Sequence, residues 1–97
     1  MSNIDDKTPM RDLVKDQDWQ KVRASLVGNW NLKPDWCCQQ LRDYLGPIDK
    51  TSYKKLRIMM NYLTGSAFRM GKIKHPCINK LRGEISAEMK KRKLQSR

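Results

Sequence analysis

Apolar residues recur along this chain three or four positions apart, which is the spacing of one helix face. Two such segments precede Gly28, and nothing between them forbids one continuous helix. Thr8 and Pro9 are typical of a helix start, and Gly28 is typical of a helix end. The apolar positions of these two segments are Met10, Leu13, Val14, Trp19, Val22 and Leu26.

Three further segments are separated by residues that start or stop helices. Pro34 begins the first, Gly46-Pro47 ends it, and Gly65 ends the second. Asp49, Thr51 or Ser52 could cap the start of the second segment. His75, before Pro76, could cap the start of the third. The remaining stretches are a short helical turn over 66–70 and a loop over 71–74.

No run of alternating β-branched residues occurs, so the pattern predicts an all-α protein. We expect one compact bundle of four to five short helices with a basic C-terminal arm. The expected division is a flexible N-terminus at 1–7, a helical domain at 8–89 and a basic tail at 90–97. The predicted core is Leu13, Trp19, Val22, Leu26, Leu41, Leu45, Leu56, Met59, Met60, Leu63, Phe68, Ile78, Leu81 and Ile85.

Charge is distributed unevenly along the chain. The net charge is +11, and residues 1–49, with seven Lys/Arg and eight Asp, contribute 7 − 8 = −1. Residues 50–97 hold fourteen Lys/Arg against Glu84 and Glu88, which gives 14 − 2 = +12. A basic half of this kind favours a polyanion or an acidic protein surface as partner.

The first functional hypothesis is a small non-enzymatic protein that binds nucleic acid, mainly through the phosphate backbone. DNA and RNA are equally compatible with it, and little sequence preference is expected. The candidate contact residues are Lys54, Lys55, Arg57, Arg69, Lys72, Lys74, Lys80, Arg82, Lys90 and Lys91.

The alternative hypothesis is a phage- or plasmid-type adaptor or inhibitor of a host nucleic-acid-processing enzyme. Such a protein would dock on an acidic surface or in the DNA channel of a nuclease, helicase, recombinase or polymerase. Ile58 and Tyr62 are expected on a second, solvent-facing strip of their helix. Trp30 lies in a connector, and Trp36 lies off the apolar stripe of the helix that begins at Pro34. These four residues are the candidate partner-binding anchors.

Other classes of function are not expected. Cys37, Cys38, His75 and Cys77 lack the short C-x-x-C loop of structural zinc sites, so no metal or other cofactor is predicted. The single histidine and the scattered carboxylates favour neither an enzyme nor a small-molecule substrate. The chain has neither a membrane-spanning apolar run nor an apolar signal segment, and its cysteine count is odd, so a cytoplasmic location is expected.

Overall fold

A computed structural model of the chain describes residues 8–65, 68, 70, 71 and 75–95. The helices in this part are α1 (Met10–Leu13), α2 (Gln17–Leu26), α3 (Pro34–Leu45), a 3-10 turn (Ile48–Lys50), α4 (Tyr53–Leu63) and α5 (Pro76–Gln95). Over the described ranges there is no strand, and the all-α prediction is confirmed. The turn expected at 66–70 and the loop expected at 71–74 fall largely outside the described residues.

The first two apolar segments are separate helices. The Asp16 side chain accepts hydrogen bonds from the backbone N–H groups of Asp18 (2.9 Å) and Trp19 (3.3 Å), which starts α2 anew after α1 ends at Leu13. An aspartate in this position satisfies donors that a helix start leaves unpaired. Pro9 directly precedes α1 and is not its first residue.

The later helix boundaries follow the predicted signals. Pro34 occupies the first turn of α3, and Gly46, at φ +70°, ends it. That backbone conformation suits glycine because it has no Cβ. Of the three candidate caps for α4, Ser52 is the one whose side chain accepts from Lys55 N–H (3.3 Å). His75 caps α5, since its Nδ1 accepts from Cys77 N–H (3.2 Å).

Helix α4 lies at the centre of the bundle and packs against α1, α3 and α5. The placement of Ile58 on a solvent-facing strip is therefore wrong. Ile58 is 0% exposed, because a helix with neighbours on several sides has no free far side. Most predicted core residues are buried, whereas Val22, Met60 and Phe68 pack at its margin.

An aromatic cluster closes the core between the α2–α3 connector and the end of α4. Trp30 Nε1 donates to Tyr62 Oη at 2.8 Å, and the Tyr62 ring meets those of Trp19 and Phe68 edge-on. Trp30 is 7% exposed, so its expected place as an exposed connector anchor is also wrong. Tyr62 is half-buried, and its hydroxyl is already used within the domain.

Helix α5 runs without a break past Met89 to Gln95. Arg92 donates to the backbone carbonyls of Ile48 (3.2 Å) and Asp49 (3.4 Å), which ties the end of α5 to the 3-10 turn. The independent basic arm is not confirmed, and the division at residue 90 stays a prediction. Within the described ranges, no helix combines the length and the hydropathy needed to cross a membrane.

Candidate nucleic-acid interface

The three candidate basic residues of α4 make contacts within the domain. Lys54 Nζ lies 3.2 Å from an oxygen of Asp16, and Arg57 donates to the carbonyl of Thr8 at 2.7 Å. Lys55 Nζ donates to the carbonyl of Tyr44 at 3.1 Å and lies 4.8 Å from the centre of that ring. These side chains join α4 to its neighbours, so their charges are already partly compensated.

Asp16 is the electrostatic counterpart of this group. Burial raises its pKa, but the hydrogen bonds from Trp19 N–H and from Lys54 outweigh burial and hold the pKa below its usual range. A carboxylate that accepts several hydrogen bonds keeps its charge. Lys54 therefore has a fixed negative partner inside the domain.

The candidate lysines of α5 are arranged differently. Lys80, Lys90 and Lys91 are exposed, and none has a hydrogen bond or ion pair to a described residue. Lys80 and Lys91 are eleven positions apart, which is about three turns and about 16 Å along one face. Between them the exposed positions carry the small residues Gly83, Ser86 and Ala87. The result is a helix face with positive charge at both ends and small residues between them, on which Glu84, four positions after Lys80, is partly exposed.

Both acidic residues of the basic half are engaged by arginines. Arg42 of α3 donates two hydrogen bonds to Glu84, at 2.8 and 3.4 Å, and Arg92 pairs with Glu88 at 2.8 Å. The hydrogen bond from Arg42 holds the pKa of Glu84 below its usual range, and the same bond raises the pKa of Arg42. The two carboxylates of α5 are therefore bound by arginines, while Asp49 of the 3-10 turn borders the same surface groove as Lys91.

Arg82 lies at the other edge of α5, beside its N-terminus. It is half-exposed, donates to Asn79 Oδ1, and lines a surface groove of about 560 Å³ with Phe68, Gly71 and His75. The helix start itself is closed to anions. Pro76 has no N–H, while the N–H groups of Cys77 and Ile78 are bonded to His75. Arg69, Lys72 and Lys74, also predicted as contacts, lie outside the described residues.

Trp36 is the predicted partner anchor that is exposed. Its side chain is 39% exposed, and Lys33 Nζ lies 5.8 Å from its ring centre. Val27 and Leu32, in the connector before α3, are each 76% exposed. Neither residue was expected as an anchor from the sequence. The sequence did contain a signal for their exposure, because both residues lie off the apolar stripes of the helices and close in sequence to a tryptophan.

The fold brings together three of the four residues considered for a metal site. The ligand atoms of Cys38, His75 and Cys77 all lie within 4.8 Å of one another, and Cys37 is not part of this group. Ligand spacing within a single segment could not reveal this group. Cys38 comes from α3 and Cys77 from the first turn of α5, so the group is assembled by tertiary packing instead.

Tyr44 carries a buried polar atom without a partner in the described part of the chain. Its hydroxyl accepts no hydrogen bond from a described group and donates none, and burial raises its pKa, helped by Asp16 and Asp18. The Tyr44 ring packs 5.5 Å from Trp19. The residue belongs to the core and offers no exposed acid or base.

Comparison with known proteins adds no assignment: no family model, no curated protein and no solved structure matches this chain. A functional assignment therefore depends on the geometry of the two charged helices and of the cysteine–histidine group.

Proposed function

We propose that this protein is a small non-enzymatic nucleic-acid-binding protein and that its contact surface is the exposed face of α5. The observation that supports this most strongly is the contrast within the basic half. Lys80, Lys90 and Lys91 make no described hydrogen bond or ion pair, whereas the nearby acids Glu84 and Glu88 are held by arginines; Lys80 acts on Glu84 through its charge alone. Lysines without internal partners can displace counterions from a phosphate backbone.

The shape of this face favours backbone contact. A helix with the small residues Gly83 and Ala87 between its lysines can lie close against a chain of phosphates, and the partly exposed Glu84 on this face is bound by Arg42. Few polar side chains on this face have the reach and geometry to read base edges. Binding is expected to depend strongly on salt and weakly on sequence, with DNA and RNA both accepted.

Arg82 extends the proposed surface toward the start of α5. The proposal also includes Arg69, Lys72 and Lys74, on the basis of the sequence alone. The α4 residues Lys54, Lys55 and Arg57 are left out, because their contacts are internal. Tyr62 and Phe68 are also poor candidates for stacking bases, since their rings pack against each other 5.2 Å apart. We place the protein in the cytoplasm in this proposal, where nucleic acid is accessible.

The test is capture from a bacterial lysate by a tagged copy of the chain, with and without nuclease, at low and moderate salt. Nucleic acid should co-purify with the tagged chain at low salt and be released at moderate salt. After nuclease treatment, no bacterial protein should remain bound in stoichiometric amount. Failure of purified protein to bind either a labelled duplex or a labelled single strand at low salt would overturn the proposal.

A second candidate function rests on a different surface. Val27, Leu32 and Trp36 are exposed apolar residues close together in sequence, and such residues serve as anchors in protein interfaces. An adaptor or inhibitor of a nucleic-acid-processing enzyme would use them while the lysines approach the enzyme's acidic surface. One bacterial protein retained in stoichiometric amount after nuclease, and lost on Trp36→Ala, would favour this candidate over the first.

A further inference from the structure

We propose that Cys38, His75 and Cys77 form a zinc site that joins α3 to the start of α5. Their ligand atoms lie within 4.8 Å of one another, although the two cysteines are 39 residues apart in the chain. Two sulfurs and one imidazole are the donor types that zinc prefers. The proposal is independent of nucleic-acid binding.

The two cysteines are positioned for a shared metal. The structure joins their sulfur atoms as a disulfide, and their Cα atoms are 6.6 Å apart. The proposal concerns the reduced chain, in which the same two sulfurs are thiols that can bind one ion together. Cys38 is 6% exposed and Cys77 is half-buried, so the group sits at the edge of the core with one side open to solvent.

The histidine is oriented as metal ligands commonly are. Its Nε2 lies 2.9 Å from an oxygen of Asp35, and its Nδ1 lies next to the backbone of Cys77. A carboxylate on one ring nitrogen fixes the ring and leaves the other nitrogen as the ligand. In the proposed site Nδ1 binds the ion in place of its hydrogen bond from Cys77 N–H, and a water occupies the fourth position.

The disulfide that the structure shows and the proposed metal site use the same two sulfurs, so the two exclude each other. Their Cα separation lies at the long end of the range that disulfides adopt. His75 also caps α5, but capping requires neither two sulfurs within 4.8 Å of the imidazole nor the Asp35 carboxylate on its other nitrogen. The presence of these two features is the reason for proposing a metal.

Zinc binding forms two Zn–S bonds and one Zn–N bond and releases the two thiol protons to solvent. Affinity is therefore expected to rise with pH until the two thiols of the metal-free, reduced chain are ionised. Cys37 provides a matched control. It is an adjacent buried cysteine of the same helix that lies outside the group, and burial raises the pKa of its thiol.

The experiment titrates Co²⁺ and then Zn²⁺ into the reduced full chain under anaerobic conditions. Thiolate-to-cobalt charge-transfer absorption should appear with one equivalent of Co²⁺ and disappear when Zn²⁺ displaces it. We expect Cys77→Ser to weaken binding by at least about 100-fold and Asp35→Asn by about tenfold, as for an outer partner of a ligating histidine. Cys37→Ser should bind as the wild type does.

Alkylation of the wild-type thiols supplies a readout that does not depend on a variant's folding. One equivalent of Zn²⁺ should protect Cys38 and Cys77 from an alkylating reagent and leave the protection of Cys37 unchanged. Absence of the charge-transfer band in the reduced chain would overturn the proposal. A Cys38–Cys77 cross-linked peptide from the air-exposed protein, together with no cobalt binding after reduction, would identify the pair as a disulfide instead.

Discussion

Helices α4 and α5 both carry clusters of basic residues, and the bundle uses the two clusters in different ways. In α4, Lys54 reaches Asp16 and Lys55 reaches the carbonyl and ring of Tyr44. In α5, Lys80 and Lys91 are exposed and make no described hydrogen bond or ion pair. Both helices have several neighbours, but the basic residues of α4 reach groups on those neighbours, whereas the lysines of α5 lie on its exposed side and stay available for a ligand.

The contrast between these helices shows that a count of basic residues overstates a binding surface. All ten candidate contacts satisfied the same criterion in the sequence, namely a lysine or arginine in the basic half. Of the seven that the structure describes, three are engaged internally in α4 and four lie on α5. We therefore expect substitutions in α4 to affect stability and lysine substitutions in α5 to affect binding.

The largest effect expected in this comparison concerns the packing of α4. Ile58→Ala removes a side chain that is 0% exposed, and such truncations cost about 2–5 kcal/mol of unfolding free energy. The measurement is urea unfolding monitored by circular dichroism. Leu32→Ala, at a position that is 76% exposed in the connector before α3, is the control and should change stability by about 0.5 kcal/mol or less. Equal effects of the two substitutions would contradict the central position of α4.

The next largest effect is expected at Asp16, which connects α2 to α4. Asp16→Ala removes both the N-terminal cap of α2 and the partner of Lys54, so we expect a loss of about 1–2 kcal/mol in unfolding free energy. Binding to nucleic acid at low salt should stay within about twofold of the wild type, because α5 is untouched. Thermal and urea unfolding, with an oligonucleotide titration on the same sample, measure both quantities. A variant with wild-type stability would show that the cap and ion pair contribute nothing.

Lys55→Met tests an internal lysine while keeping most of its aliphatic length. It removes the hydrogen bond to Tyr44 and the cation above that ring, for an expected loss of about 1 kcal/mol. Lys91→Met in α5 is the matched control and should leave stability within about 0.5 kcal/mol. Urea midpoints of the two variants give the comparison directly. A loss of binding without loss of stability in Lys55→Met would place Lys55 in the interface after all.

The smallest effect concerns the ion pair between α3 and α5. Glu84→Gln should cost about 0.2–1 kcal/mol at neutral pH, since the pair is partly exposed. The pKa of Glu84 is lower in the folded state than in the unfolded state. The ionised carboxylate therefore stabilises the fold above its unfolded-state pKa, about 4.3, and this stabilisation is lost as the pH falls through its folded-state pKa. The unfolding free energies of variant and wild type should therefore converge as the pH falls below the lowered pKa of Glu84 in the folded state. A constant difference across this range would show that ionisation of Glu84 has no part in the effect.

The sequence was sufficient for the helices and most of the core, because apolar spacing and boundary residues act locally. Pro34, Gly46 and Ser52 each mark a boundary where they were expected to. The failures at Ile58 and Trp30 share a physical reason. Helical spacing assigns one apolar face per helix, and it does not show that α4 has neighbours on several sides or that a connector folds over the core.

The candidate sites were less predictable because they depend on tertiary neighbours. The pairing of Lys54 with Asp16, and of Glu84 with Arg42, joins residues from different parts of the chain. The cysteine–histidine group is assembled across α3 and α5 in the same way. Residue type and spacing in one segment carry no information about such pairs.

The most direct test of the account is the salt dependence of nucleic-acid binding for two charge-matched variants. One replaces Lys80 and Lys91 of α5 with Gln, and the other replaces Lys54 and Lys55 of α4 with Gln. Fluorescence anisotropy with one labelled duplex gives the slope of log K against log salt concentration. We expect the α5 variant to reduce the magnitude of the slope by about 1.8, from about 0.9 for each lost phosphate contact, and the α4 variant to leave the slope unchanged. Equal reductions in both variants, or none in the α5 variant, would contradict the assignment of binding to α5.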